Sequence, residues 1–328
     1  MFFFESPWRD PYYNLALEEY LFQSLNRKHD YLMLWQNENS IIVGKYQNTA
    51  EEINQSYVDA NGIKVARRLS GGGAVYHDLG NLNYTLITSP DNLEEFNLKY
   101  FADPVIHVLK RFGIQAEFSG RNDLLINGKK FSGCSQVLSN GRLLYHGCIL
   151  LNSNLDVLSD ALRVRPAKIQ SKGVRSVSSR VTTINEHVAS PISMETFKKA
   201  LADEILAGKS ADTLQLSDED FRTISDLRKN KYATWDWNYG YYADYELHSE
   251  NRFPAGIVEA SMDIHQGKIV AIHFSGDFFC NREISELEQK LVGQPLNTSL
   301  LELLSDIDVP SYIHGLTSKE LYELLMYM

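Results

Sequence analysis

Arg67-Arg68-Leu69-Ser70-Gly71-Gly72-Gly73-Ala74-Val75-Tyr76-His77-Asp78 sets two guanidiniums, a hydroxyl and three glycines ahead of a short β-prone run. Glycine's freedom at positive φ lets successive N–H groups turn toward one anion, and the missing side chains let a ligand approach the main chain. Arginine adds a planar fork of donors suited to carboxylate or phosphate oxygens. The stretch reads as a polar clamp for an anionic small molecule, set between two strands. The same residues also make an ordinary exposed turn, so the choice between the two rests on the rest of the chain.

A chain of 328 residues accommodates two domains with a sizeable core. Its net charge of −10 argues against a general nucleic-acid binder, which needs a basic surface. The arginines are therefore local and serve a small anion. Cys134, Cys148 and Cys280 are odd in number and lack metal-ligand spacing, which fits free thiols in a reducing compartment. The apolar start Met1-Phe2-Phe3-Phe4 has no basic region before it, and no run is long enough to span a membrane. The expectation is a cytoplasmic protein with neither nucleic acid nor membrane as partner.

Outward from the glycines, strands are expected at Phe2–Phe4, Tyr31–Trp35, Ser40–Val43, Lys64–Leu69 and Leu82–Thr88. Asn14 is expected to cap a helix carrying Leu17, Leu21 and Leu25. Ala102, Val105, Ile106, Leu109 and Phe112 form a helical stripe over the sheet, and Ser193 opens another with Phe197, Leu201 and Ile205. Asn127-Gly128 and Asn140-Gly141 signal two hairpins. Ser171–Arg180 is basic and aperiodic, and reads as a loop that closes on a bound anion. Trp235-Asp236-Trp237-Asn238-Tyr239-Gly240 ends the first domain, followed by a polar crossing near His248–Arg252. The pattern then restarts: Val258, Ala260, Met262 and Ile264 alternate, as do Val270, Ile272 and Phe274, and Thr317 with Glu320 forms a capping box. The domains are placed at 1–244 and 245–328, and the fold class is α+β.

The first hairpin permits a sharper expectation. With Asn127-Gly128 as its loop, Leu125 faces Lys130, Leu124 faces Phe131 and Asp123 faces Ser132. Leu124 and Phe131 then point to the core, while Asp123, Lys130 and Ser132 share the other face. A carboxylate and an ammonium together on one side of a sheet can build a polar pocket. Lys129 points the other way.

Taken together these segments are recognisable. The glycine stretch resembles the lipoate-binding loop of lipoate–protein ligases of the A type, and Asn122-Asp123 with Lys130-Phe131-Ser132-Gly133 resembles their catalytic lysine strand. Tyr145-His146-Gly147 and Ser171-Lys172-Gly173-Val174-Arg175-Ser176-Val177 are similar to two further family segments, the latter the adenylate-binding loop. The resemblance spans nearly the whole chain, C-terminal domain included, and several ordered motifs are more specific than any one of them.

The resemblance implies the biotin/lipoate ligase fold, a mixed β-sheet catalytic domain flanked by helices. It implies that lipoate and ATP give lipoyl-adenylate, whose lipoyl group passes to a lysine of an acceptor. The acceptors implied are lipoyl domains of 2-oxoacid dehydrogenases and the glycine cleavage H protein. Lys130 is the implied catalytic residue. The implied lipoate and ATP contacts are Arg67 at the acid end, Arg68, Ser70, Gly72, Gly73, Ala74, Val75 and Tyr76 on the loop, with Asn122, Asp123, His146, Lys172 and Gly173. Mg²⁺ is expected on the ATP phosphates, with Asp123 either orienting Lys130 or joining the metal. His146 reads most simply as a hydrogen-bonded strand histidine and Cys134 as a buried thiol, while His77 beside Asp78 suggests a dyad that a turn-capping Asp explains as well. An ATP-independent octanoyl- or lipoyl-transferase of the same fold is the main alternative, but the Glu117–Arg121 loop lacks the cysteine some of these relatives use. An inactive binding paralogue is the other, and the intact lysine, arginine pair and glycines argue against it.

Overall fold

The computed structural model describes residues 1–89, 98–120, 122–163, 180–240 and 245–326. The strands are β1 (Phe2–Glu5), β2 (Tyr31–Trp35), β3 (Ser40–Val43), β4 (Lys64–Arg67), β5 (Val75–His77), β6 (Asn81–Thr88), β7 (Glu117–Ser119), β8 (Asp123–Ile126), β9 (Lys129–Ser139), β10 (Arg142–Leu150), β11 (Asp212–Thr213), β12 (Leu247–Phe253), β13 (Gly256–His265) and β14 (Lys268–Gly276). Eight of them form one mixed sheet ordered β11-β1-β2-β6-β10-β9-β8-β7. Its β11, β1 and β2 run parallel and the rest pair antiparallel.

Alternation gives this sheet two different faces. Tyr84, Leu86, Leu143, Tyr145 and Cys134 pack with the helices Leu98–Arg111 and Met194–Leu206 in one core. Met33, Trp35, Ile87 and Leu144 face the other way, onto the helix Pro11–Gln23. That second face also carries Thr85, Asn83, His146, Cys148, Gly133 and Ser135, which are register partners along β6, β10 and β9. A small sheet ordered β4-β3-β5 completes the catalytic unit. Because β4 and β5 lie on opposite sides of β3, the glycine stretch must cross over the end of β3.

The C-terminal unit is a three-stranded antiparallel sheet, β12-β13-β14, covered by helices that include Ile284–Leu291 and Ser318–Met326. Its core of Val258, Ala260, Met262, Phe274, Leu287 and Leu324 admits one outsider, Tyr46 of the catalytic unit. The Tyr46 ring stacks on Phe278 at 5.1 Å, the Gly276 N–H donates to Tyr46 O at 2.9 Å, and the Gly72 N–H donates to Phe278 O at 3.3 Å. The accessory unit is thus seated directly on the glycine loop. No helix among the described residues is long and apolar enough to cross a membrane.

Several expectations need correction. Asn14 is not a cap: the helix starts at Pro11, and Asn14 lies inside it, donating to Gln36 O and Asn37 Oδ1 at 2.9 Å each. A buried asparagine that ties two connections together looks the same in sequence as one that caps. The polar crossing at His248–Arg252 is the edge strand β12, whose exposed face needs no apolar residues. Val270 is 49% exposed while Ile269 is buried, because the register slips at Asp263/Ile264 and turns β14 over at its start. The first hairpin also slips. Leu125 faces Lys130 as expected, but a bulge between Leu124 and Leu125 leaves Leu124 opposite Ser132 and Asp123 opposite Gly133.

Candidate active site

The bulge places the lysine. Phe131 is buried in the core with Leu124, so the chain holds its apolar anchor, and Lys130 turns to the opposite face. There its Nζ meets Asp123 Oδ1 at 2.6 Å. A Cβ at Gly133 would lie 2.8 Å from Lys130 Nζ and 2.9 Å from its Cε, so a side chain there would displace the end of the lysine from this position. Burial works against the Lys130 ammonium, but the Asp123 carboxylate outweighs it and holds the pKa above its ordinary value. Lys130 stays charged at neutral pH. Lys129, next to it at the hairpin tip, is exposed.

Two adjoining cavities meet at this lysine. The narrow one, about 100 Å³, is walled by Leu15, Trp35, Ile42, Val75, His77 and His146. The wide one, about 770 Å³, is walled by Asp123, Leu125, Leu150, Arg163 and Arg180. Gly73, Ala74, Val75, Asn122, Lys130, Gly133 and Cys148 border both. Gly72 takes φ +89°, which only glycine adopts readily, so the loop can turn between them.

Arg68 shapes that loop from within. Its guanidinium donates to Ser70 Oγ at 3.0 Å, Ile42 O at 3.1 Å, Gly71 O at 2.6 Å and Gly73 O at 3.0 Å. With the Gly73 carbonyl drawn to Arg68, the planar peptide turns the Ala74 N–H to the opposite side. Burial pushes the Arg68 pKa down to about 10, still far above neutrality. Four of its five N–H donors are committed, so at most one is left for a nucleotide.

Arg67 does not reach either cavity, contrary to the expected place at the acid end. It is fully buried, and its guanidinium donates to the carbonyls of Gly44, Lys45, Gln47, Trp237 and Asn238 and to Thr49 Oγ1, at 2.7–3.1 Å. Two adjacent arginines on a strand end point to opposite sides, and only Arg68 points toward the loop. The helix Trp235–Tyr239 is therefore a clasp on β4 rather than a mere boundary.

His146 sits in a buried chain. Its Nε2 lies 2.6 Å from Ser70 Oγ, its Nδ1 2.9 Å from Glu18 Oε1, and Thr85 Oγ1 donates to that same carboxylate oxygen at 2.6 Å. Ser70 is thereby engaged beneath the loop rather than lining a cavity. Glu18 went unnoticed in the sequence; its signal was an acid on the apolar side of a helix, between Leu17 and Leu21. His77 Nδ1 lies 3.2 Å from Asn37 Nδ2, and burial, then Arg68 and His146, press its pKa down to about 3. Asp78 accepts from the Gly80 and Asn154 N–H groups, the turn cap of the two readings open for it. The Tyr76 ring is buried, with its hydroxyl on Asn39, so it meets the wide cavity at the strand edge. Asn122 Nδ2 donates to Cys134 O at 2.8 Å, fixing the lysine strand beside its entry. Cys134 is buried on the helix-covered face, and burial raises its thiol to about 12. Lys172, Gly173 and the rest of the expected anion loop up to residue 179 lie outside the described residues, as does the boundary at 241–244.

A slot with apolar walls at Leu15, Trp35, Ile42 and Val75 thus opens on a wide chamber of mixed charge, with the paired lysine at the junction. The family described as lipoyl protein ligase A/B catalytic domain matches residues 10–206, and that described as bacterial lipoate protein ligase C-terminus matches 243–325. Lipoate–protein ligase 1 of Staphylococcus aureus is 42% identical over 317 residues, covering 96% of this chain and 97% of its own. Plasmodium falciparum LipL1, solved in complex with lipoate, shares the fold over 100% of this chain and 99% of its own, with a TM-score of 0.81 at 22% identity. A lipoate–protein ligase A solved with ATP bound aligns with a TM-score of 0.63 at 26% identity, over 73% of this chain and 97% of its own. The chain belongs to the lipoate–protein ligase family.

Proposed function

We infer that this protein activates lipoate with ATP and transfers the lipoyl group to a lysine of an acceptor protein. The observation that carries the reading is the meeting of the two cavities at the Lys130–Asp123 pair. In the first step a lipoate carboxylate oxygen attacks the α-phosphorus of ATP, the bond from that phosphorus to the bridging oxygen breaks, and pyrophosphate leaves. Two anions must approach, and Lys130, as a charge on a flexible stem, can follow the carboxylate and α-phosphate oxygens through the reaction. The Ala74 N–H and the remaining Arg68 donor can add to the cradle. In the second step the neutral acceptor amine attacks the acyl carbon, the bond to the adenylate oxygen breaks, AMP leaves, and the amine sheds its proton.

The aliphatic tail and dithiolane find apolar surface between Leu15, Trp35, Ile42 and Val75, where the narrow cavity must widen to admit them. The wide cavity takes the nucleotide. Mg²⁺ suits the same chamber, since Asp123 offers the oxygen donor a hard cation takes, shared with Lys130. When bound, it would draw charge from the phosphates. Acceptors are lipoyl domains and their structural equivalents. The transferase alternative needs a thiolate; burial raises the Cys134 thiol to about 12, and Cys148, which borders both cavities, is the thiol whose replacement by Ser tests that route.

Lipoate-dependent ATP–pyrophosphate exchange tests the first step, and labelling of an apo lipoyl domain the second. Labelling from an acyl thioester without ATP, with silent exchange, would favour the transferase.

A further inference from the structure

One wall of the wide cavity is not made by the catalytic unit. Arg252 and Asp277 line it, and both belong to the accessory unit. Arg252 stands near the end of β12, opposite Ile257 of β13. Ile257 is tied in turn to Asp277: its N–H donates to Asp277 Oδ1 at 2.7 Å, and the Asp277 N–H returns to Ile257 O at 3.1 Å. Arg252 and Asp277 are therefore carried on one corner of the small sheet. Gly276, bonded to Tyr46, and Phe278, bonded to Gly72, flank Asp277 on the chain, so this corner is held at the glycine loop itself.

The cations of the chamber differ in what they already hold. Lys130 is paired with Asp123, Arg180 has partners of its own, and Arg163 Nη1 reaches Ala50 O at 3.4 Å. Arg252 uses its main-chain N–H on Asn251 Oδ1, while its guanidinium has no partner among the described residues. An uncommitted guanidinium facing a chamber, in a protein of net charge −10, fits an anion with oxygens at the spacing of its fork.

We propose that Arg252 is supplied by the accessory unit to the β,γ-phosphates of ATP, and to the pyrophosphate that leaves. This rests on the ligase reading and adds a residue to it. As the bridging P–O bond breaks, negative charge grows on the pyrophosphate oxygen, and a guanidinium there stabilises the departing group. The second half-reaction contains no pyrophosphate, so Arg252 has nothing to bind in it. An accessory unit that brings this side chain to the chamber acts in activation and not in transfer.

The test uses the full chain as wild type, Arg252→Ala and Arg252→Lys. Lipoate-dependent exchange gives kcat and KM for ATP and for pyrophosphate, and transfer is measured from synthetic lipoyl-adenylate to an apo lipoyl domain. Arg252→Ala should lower kcat/KM for ATP in exchange by about ten- to a hundredfold and raise KM for pyrophosphate, with transfer within about twofold of wild type. Arg252→Lys should recover part of the loss. Unchanged exchange in Arg252→Ala overturns the proposal, as does an equal loss in both half-reactions, which would mark a docking role. Absence of exchange in the wild type would overturn the ligase reading and this proposal with it.

Discussion

Gly71→Ala should separate the two half-reactions. A Cβ at Gly71 would lie 2.2 Å from Phe278 O, 3.3 Å from its carbonyl carbon and 3.4 Å from Phe279 Cα. All three are main-chain atoms, so no side-chain rotation relieves the clash, and the accessory unit must move off the glycine loop by roughly 1 Å or more to restore ordinary contact. That movement breaks the Gly72–Phe278 hydrogen bond and loosens the Tyr46–Phe278 stack. A net hydrogen bond contributes about 1 kcal/mol and an aromatic pair about 0.5–1.5 kcal/mol. The exposed Lys45–Glu283 pair adds little. Losing about 2 kcal/mol of docking lowers the seated-to-unseated ratio by roughly thirtyfold. Adenylate formation, followed by pyrophosphate release, should fall measurably and by at most about that factor, while transfer from synthetic lipoyl-adenylate should persist. Equal loss of both activities would refute the reasoning, because it would mean that the methyl group damages the loop itself. Retention of full activation would show that seating on the loop is not needed.

Lys130→Ala should reduce adenylate formation by about a hundredfold or more, whereas Lys129→Ala, at the exposed hairpin tip, should stay near wild type; pyrophosphate release for both variants checks this. Cys134→Ala should retain lipoylation, since a thiol raised to about 12 is ionised in only about one molecule in 10⁵ at neutral pH; complete loss in a folded variant would revive a thioester route. His77 carries the pH prediction. Its folded pKa of about 3 lies below the unfolded 6.5, so the unfolded chain takes up a proton that the native state refuses. The stabilisation from holding it neutral is present above about pH 6.5 and is lost as pH falls toward 3, by about 2 kcal/mol between pH 7 and pH 5. Urea titrations at those two pH values should show that difference shrinking in His77→Gln.

The sequence was most legible where local chemistry acts alone. Asn127 and Asn140 take φ near +50° ahead of Gly128 and Gly141, as hairpins of that composition require. Ser193 caps its helix through the Thr196 N–H, and Thr317 and Glu320 close their box in both directions. Legibility failed where one residue's role depends on a distant one. Nothing near Arg67 announces that Trp237 and Asn238 receive its guanidinium, and nothing near Glu18 announces His146. Bulges failed for a related reason. Inserting one residue at Phe131 keeps an aromatic ring in the core, and that gain belongs to the tertiary packing rather than to the alternation read along the strand.

The Arg67 seat also bears on the order of events during synthesis. Its carbonyl partners Trp237 and Asn238 lie 170 and 171 positions further along the chain. A nascent polypeptide that has emerged only through the large sheet offers the Gly44, Lys45, Gln47 and Thr49 acceptors but not these two, so Nε and one Nη2 donor stay hydrated until the clasp arrives. Burying those two donors unpaired costs about 1–3 kcal/mol each. Closure of the catalytic unit is thus a late step in vectorial folding, and a chain released before Asn238 should be one that quality-control proteases recognise as unfinished.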